Sequence, residues 1–444
     1  MRFTPWATRL ALTLSLSATA ALTACGGSGG GGSSTQVRLL NATRSYEQLD
    51  LTVNDKTINS KVAYAAVGEY GSVDTGATAT KVLKSDVGSS VSATTPTLNS
   101  NSNYTYITYG FSGAVRTTLL EESQSAPDAN KAKLLVLNLA PDAGALDTYV
   151  TTAATCGLTN ETALSSNLAG GSGSGYIQIN SGTFRVCVTG YNKPTDLRLA
   201  IPAITLDSAS VNTLILTATD GGVLVNGITL VQKGAAKNFA NTQSRVRTVA
   251  ALASGGSVTS SINGQAMFSA AAVSPLISDY VTTNAGASTL NVAVNGASVS
   301  FTAPTLTAGK DSTLLVWGDP AAPKLAVLDD DNRLPTVSTD VKIRLVNALQ
   351  TNGAGLSVGY GTIASNVAAG TGSAPLSGSI TNSSTGAQVD VTVPSSALSI
   401  YTNSALVFPA GSVWTFFAVP NTATTATTNL PVPGLAALPK RERP

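Results

Sequence analysis

One short segment recurs four times along this chain, and the recurrence constrains the architecture more than any other feature. It reads Val37-Arg38-Leu39-Leu40-Asn41-Ala42, Leu134-Leu135-Val136-Leu137-Asn138-Leu139, Val246-Arg247-Thr248-Val249-Ala250-Ala251 and Ile343-Arg344-Leu345-Val346-Asn347-Ala348. Self-similarity at a regular interval marks a tandem array. Eight residues past Asn41, Asn138 and Ala250 stand Leu49, Leu146 and Val258, and four further on come Val53, Val150 and Ile262. The fourth copy is one residue longer and places Leu356 and Tyr360 there. A separation of four puts each pair on one face of a strand, as a half-buried sheet requires.

Later in every copy a glycine turn leads into alternating residues, at Gly76 to Val82, Gly182 to Val188, Gly286 to Val294 and Gly386 to Val393. A more apolar strand follows, at Tyr104 to Tyr109, Thr213 to Ala218, Thr313 to Trp317 and Val413 to Ala418. Copies one to three close on strands near Leu119-Leu120, Ile228 to Val231 and Leu325 to Leu328, whereas residues 421–430 of copy four mark theirs poorly. No stretch sustains a 3.6-residue apolar period. The expected fold is all-β, with four tandem β-sandwich modules, immunoglobulin-like or transthyretin-like in outline. Their expected bounds are 37–127, 131–240, 244–335 and 340–430, with a tail at 431–444.

Ahead of the modules, Arg2 and Arg9 form a positive amino-terminal region before a short apolar stretch, Leu10 to Ala21, and Leu22-Thr23-Ala24-Cys25 forms a small-residue cleavage box. The stretch is too short to span a bilayer core of about 30 Å. The pattern resembles the bacterial lipoprotein lipobox. That resemblance implies a signal peptide at 1–24, cleavage before Cys25, and acyl chains on its sulfur and new amino group, tethering the chain to a lipid bilayer. The alternative is an ordinary secretory signal that leaves Cys25 as a free thiol. The next residue is Gly26 rather than the aspartate of inner-membrane retention, which implies an outer-membrane lipoprotein facing the periplasm or the cell surface. Residues 26–36 form a Gly/Ser tether spanning roughly 17–20 Å.

The chain contains no histidine, which removes Ser-His-Asp triads, Cys-His nucleophiles and most catalytic zinc sites. Loss of Arg2 and Arg9 with the signal leaves 24 basic against 24 acidic residues, and no basic stripe for nucleic acid. No cofactor or resident metal is expected. With Cys25 assigned to lipid, Cys156 and Cys187 remain. In an exported protein they are expected to pair, for about 3.5–4 kcal/mol on the chain-entropy model, with two buried thiols as the alternative.

The opener V-R-x-x-N-A, the Pro141-Asp142 and Leu146-Asp147 after the second opener, and the Gly-Thr-Phe-x-Val at Gly182 look like the bacterial envelope family called domain of unknown function 4397. Copy two fits best, while copies three and four lack the Pro-Asp and Leu-Asp pairs. The resemblance implies a β-sandwich in an exported protein and no established activity.

Candidate sites are few. The acidic links at Glu121-Glu122 and at Asp329 to Asn332 are read as solvated linkers, with calcium chelation as the alternative. Of the aromatic residues in the penultimate strands, Trp414 and Phe416 share a face suited to the core. Tyr104 and Tyr106 are the better candidates for exposed rings that stack on a ligand. Asp142 with Asp147, or Glu47 with Asp50, could supply paired carboxylates, although each sits at a strand end where turns favour aspartate. The expectation is a non-enzymatic tethered rod that acts in binding, adhesion or scaffolding, with a polysaccharide or protein ligand. The alternative is a carbohydrate-active or peptidoglycan-active enzyme using two carboxylates.

Overall fold

The computed structural model describes residues 34–443 apart from 269, 379–385, 397 and 423–424. The signal, Cys25 and the tether up to residue 33 lie outside the described residues. Among the described residues the regular structure is strand, apart from 3-10 turns at Pro141–Ala143 and Ala253–Gly255. The protein is all-β, with separate sheets in each quarter of the chain.

In the first quarter one sheet runs Arg116–Glu121, Asn103–Tyr109, Ser34–Asn41, Gly71–Asp74 and the other Lys56–Ala63, Gln48–Val53, Thr80–Lys84, Ser90–Thr94. The recurring opener lies parallel to the penultimate strand, with Val37 opposite Tyr104 and Asn41 opposite Thr108. The same parallel pair returns as Lys131–Leu139 with Ser210–Ala218, Gln243–Leu252 with Asp311–Asp319, and Val341–Asn347 with Val413–Pro420. Flanked by further strands, these pairs are buried on both faces, and they carry the near-continuous apolar runs that such burial demands.

The inner face of each opener fills its own sandwich. Val37 and Leu39 meet Leu49, Leu51 and Val82, while Ile343 and Leu345 meet Leu356, Val389 and Phe416. The outer face packs against a neighbouring module. Leu40, Ala42, Ile107 and Tyr109 of the first module meet Leu139, Ile215, Ile228 and Leu230 of the second. Val249, Ala251, Leu315 and Trp317 of the third likewise meet Val346, Ala348, Phe417 and Val419 of the fourth. Each fully buried Leu, Ile, Val or Phe contributes about 1.5–3 kcal/mol. The expected rod therefore gives way to two face-to-face pairs, because the openers are apolar on both faces.

The asparagine of the opener has a structural task. Asn138 Nδ2 donates to the carbonyls of Gly144 and Leu168, and its Oδ1 accepts from Ala140 N. Asn41 and Asn347 do the same with Val62 and Thr43, and with Val367 and Leu349. Buried backbone groups at the crossing from one sheet to the other are thereby satisfied.

Three expectations need correction. Ser34 to Gln36 are not tether, since they pair with Ser72 to Asp74 in the first sheet. Leu435–Arg443 is not a tail. It is the last strand of the fourth module, antiparallel to Val413–Pro420, and Pro439 is accommodated because the strand lies at a sheet edge. Tyr360 is 86% exposed, because the strand Ala354–Val358 ends early and Gly359-Tyr360 make the hairpin turn. Cys156 and Cys187 form a disulfide, Cα–Cα 5.9 Å, beside Tyr149 and Leu158.

Candidate functional site

A set of buried ionisable side chains lies between the modules. Arg38 donates from Nε to Thr105 Oγ1 across the parallel pair at 2.9 Å and from Nη2 to Glu122 at 3.0 and 3.1 Å, with Tyr70 beneath it at 4.4 Å. Nη1 reaches the Gly234 carbonyl of the second module, and Glu122 accepts from Lys233 N there. The third and fourth modules exchange the arrangement. Arg247 donates to Thr313 Oγ1 and, at 2.7 Å twice, to Glu442 of the fourth module. Arg344 of the fourth donates in turn to Asp330 of the third, which also accepts from Tyr280 at 2.6 Å. Burial works against the Asp330 carboxylate, but Arg344 and Arg247 outweigh it and hold the carboxyl below its ordinary range. In the second module the Arg position is Leu135, opposite Thr213.

These contacts correct the reading of the acidic links. Glu122 is 1% and Asp330 3% exposed. Neither is a solvated linker residue, and guanidinium groups take the oxygens that chelation would need. Asp331 is held by Arg333 at 2.8 Å and Lys342 at 3.1 Å.

Tyr104 and Tyr106 are not exposed platforms; each is 3% exposed in the first core. Their strand is covered on both sides, so its inward face has no route to solvent. Tyr104 Oη accepts from Asn99 N, and the Tyr106 hydroxyl lies between Thr94 and Thr117. Trp414 and Phe416 do lie in the fourth core.

The proposed carboxylate pairs have structural duties too. Asp147 accepts from Ser166 Oγ, Asn167 N and Asn192 N at 2.6, 2.8 and 3.0 Å. Asp50 accepts from Lys61 N and Ser85 Oγ at 2.7 and 2.5 Å. Each caps a β-bulge whose extra residue, Lys61 or Asn167, sits in the left-handed region at φ 55° or 54°. Glu47 is exposed on the surface nearby.

Asp142 leads to a different place. It lies in the Pro141–Ala143 turn, accepts from Leu334 N at 2.8 Å, and offers its backbone carbonyl to Arg443. Burial pushes its carboxyl up. A cleft of about 320 Å³ opens beside it, where the first, second and fourth modules meet the link 331–338 that ends the third. Its apolar walls are Phe111, Pro141, Leu334, Pro335 and Pro375, and its charged groups are Arg116, Asp142, Asp331, Arg333 and Lys342. Arg333 lies over the Phe111 ring at 4.6 Å. Burial lowers the Lys342 amine, whereas Arg333 and Lys342 bring the Asp331 carboxyl down to about 2 against the effect of burial. A second hollow of about 640 Å³ adjoins it through Asp331, Arg333 and Pro375. Sequence reasoning missed the cleft because its walls come from distant positions; only Asp142 and the acidic link at Asp329 to Asn332 touched it.

Residues 35–149 and 244–354 match the family model described as "Domain of unknown function (DUF4397)". Each match begins with a first or third module and runs into the next opener, so the matches do not favour copy two. No curated protein matches. Among solved structures, a carbohydrate-binding module of family CBM26 from Eubacterium rectale Amy13K, crystallised with maltoheptaose, is 14% identical. It covers 45% of this chain and 97% of its own, at a TM-score of 0.16. The Bacillus anthracis TIE protein is 10% identical over 87% of this chain and 68% of its own, at 0.14. Scores this low leave fold and function to be argued from the chain's own residues.

Proposed function

The chain belongs to the family described as domain of unknown function DUF4397, and since that description supplies no activity, we propose that it is a non-enzymatic binding or scaffold lipoprotein of the outer membrane. The observation that carries the proposal is the structural commitment of the carboxylates nearest to candidate pairs and links. Asp50 and Asp147 cap bulges, Glu122 and Asp330 neutralise buried arginines, and Asp142 holds the Leu334 amide. Paired-carboxylate hydrolysis needs one acid free to protonate and one free to attack or to activate water. The Leu22 to Cys25 box supports attachment to a bilayer through acylated Cys25. The low charge content of the chain, 11% of residues, suits a polysaccharide or protein ligand better than nucleic acid.

Two measurements test this. Cells grown with an alkyne fatty acid should label the protein, and Cys25→Ser should lose the label; an unlabelled wild-type chain would remove the anchor. Incubated with insoluble envelope polysaccharide, the protein should leave the polymer intact, and soluble fragments released in its presence but not in buffer would show an enzyme.

A further inference from the structure

The cleft where the first, second and fourth modules meet the link 331–338 has the character of a small-molecule site. Ligand pockets are concave and mostly apolar with a few convergent polar groups, and run from about 300 Å³ upward. At about 320 Å³ this one fits a free small molecule rather than a polymer segment. Its walls offer a phenyl ring, three prolines and a leucine to an apolar body.

Its charges do not balance. Three cations, Arg116, Arg333 and Lys342, face two carboxylates, Asp142 and Asp331. Asp331 takes both Arg333 and Lys342, and an Asp142 oxygen is held by the Leu334 amide. Arg116 begins the last strand of the first module, opposite Tyr109, and is exposed; among the described residues its guanidinium interacts with the Tyr109 side chain but forms no ion pair with a carboxylate. The cleft thus presents one uncompensated guanidinium beside an apolar chamber. That fork suits a carboxylate.

We propose that this cleft binds a free, small amphipathic monoanion, an apolar body bearing one carboxylate, with the carboxylate on Arg116 and the body against Phe111 and the prolines. The proposal deepens the binding reading and rests on it.

The test is titration of the whole soluble chain from residue 26 onward with 3-phenylpropionate and with its neutral amide, followed by ligand-observed NMR. The acid should bind with a millimolar or tighter Kd and at least tenfold tighter than the amide. Arg116→Gln, an exposed substitution, should erase that preference, and Ser338→Trp, which fills the mouth from an exposed position, should abolish binding of both probes. Circular dichroism checks that each variant is folded. Equal binding of acid and amide, a preference that survives Arg116→Gln, or no binding of either probe would overturn the proposal. Fragment release from polysaccharide would instead overturn the non-enzymatic reading and leave the titration result standing.

Discussion

Arg247 shows how much depends on single side chains in a chain with so few charges. It is fully buried, and Glu442 beside it is 1% exposed. Removing one partner of a buried pair strands the other charge, for about 3–5 kcal/mol. Glu442→Gln should therefore lower unfolding free energy by about that much in urea denaturation, since Asp330 stands 3.7 Å from Arg247 and already serves Arg344. Arg247→Leu combined with Glu442→Gln copies the Leu135 arrangement of the second module and should recover most of the loss. Asp311 works in the opposite sense. It is paired with Arg245 at 2.8 Å, yet burial outweighs that partner and raises its carboxyl from 3.8 to about 6. Between those values the folded state keeps a proton that the unfolded chain has released. Its contribution is thus greatest below about pH 4 and is lost as pH rises through about 6, by about 3 kcal/mol in all. Asp311→Asn should flatten the fall in stability across that window, and an unchanged profile would contradict this account.

At the level of the strand, the opener does up to three jobs: alternate residues fill its own core, the others fill a neighbour's, and in the first, second and fourth copies the asparagine ties one sheet to the next. Asn138→Ala leaves the Leu168 and Gly144 carbonyls and the Ala140 amide unsatisfied. Chemical denaturation should show a loss of about 1–3 kcal/mol per stranded group, reduced where water enters. Strand existence and inner-face alternation were legible in the sequence, because a period of two in Val37-Arg38-Leu39 or Trp414 to Phe416 reports one buried face directly. The second face was not, because an apolar residue looks the same whichever core it enters. Tyr104 and Tyr106 mislead for a different reason: a tyrosine hydroxyl suits solvent, but here both rings enter the first core and their hydroxyls are met inside it by Asn99 N and by Thr94 and Thr117. The strand Leu435–Arg443 escaped notice for another reason: Pro439 and four charged residues resemble a solvated end, although an edge position tolerates both.

The whole molecule is organised by pairs of modules, and the contact between members is tight. Gly370 of the fourth module, at φ 73°, abuts the Trp317 ring of the third so closely that any Cβ would overlap it. Gly370→Ala should loosen this pair while leaving the first pair unaffected, visible as reduced amide-exchange protection confined to Val249, Ala251, Val346 and Phe417. The junction cleft belongs to this scale, and so it was illegible in the sequence. Phe111, Asp142, Arg333 and Lys342 come from four parts of the chain that share no motif, and only packing brings them together. The reciprocal ion pairs also set an order in time. Arg247 precedes Glu442 by 195 residues. In any chain delivered amino end first, the whole of the fourth module must arrive before Arg247 meets Glu442. Until then the third module holds a guanidinium destined for burial without its carboxylate, so the second pair closes only after almost every other strand is in place.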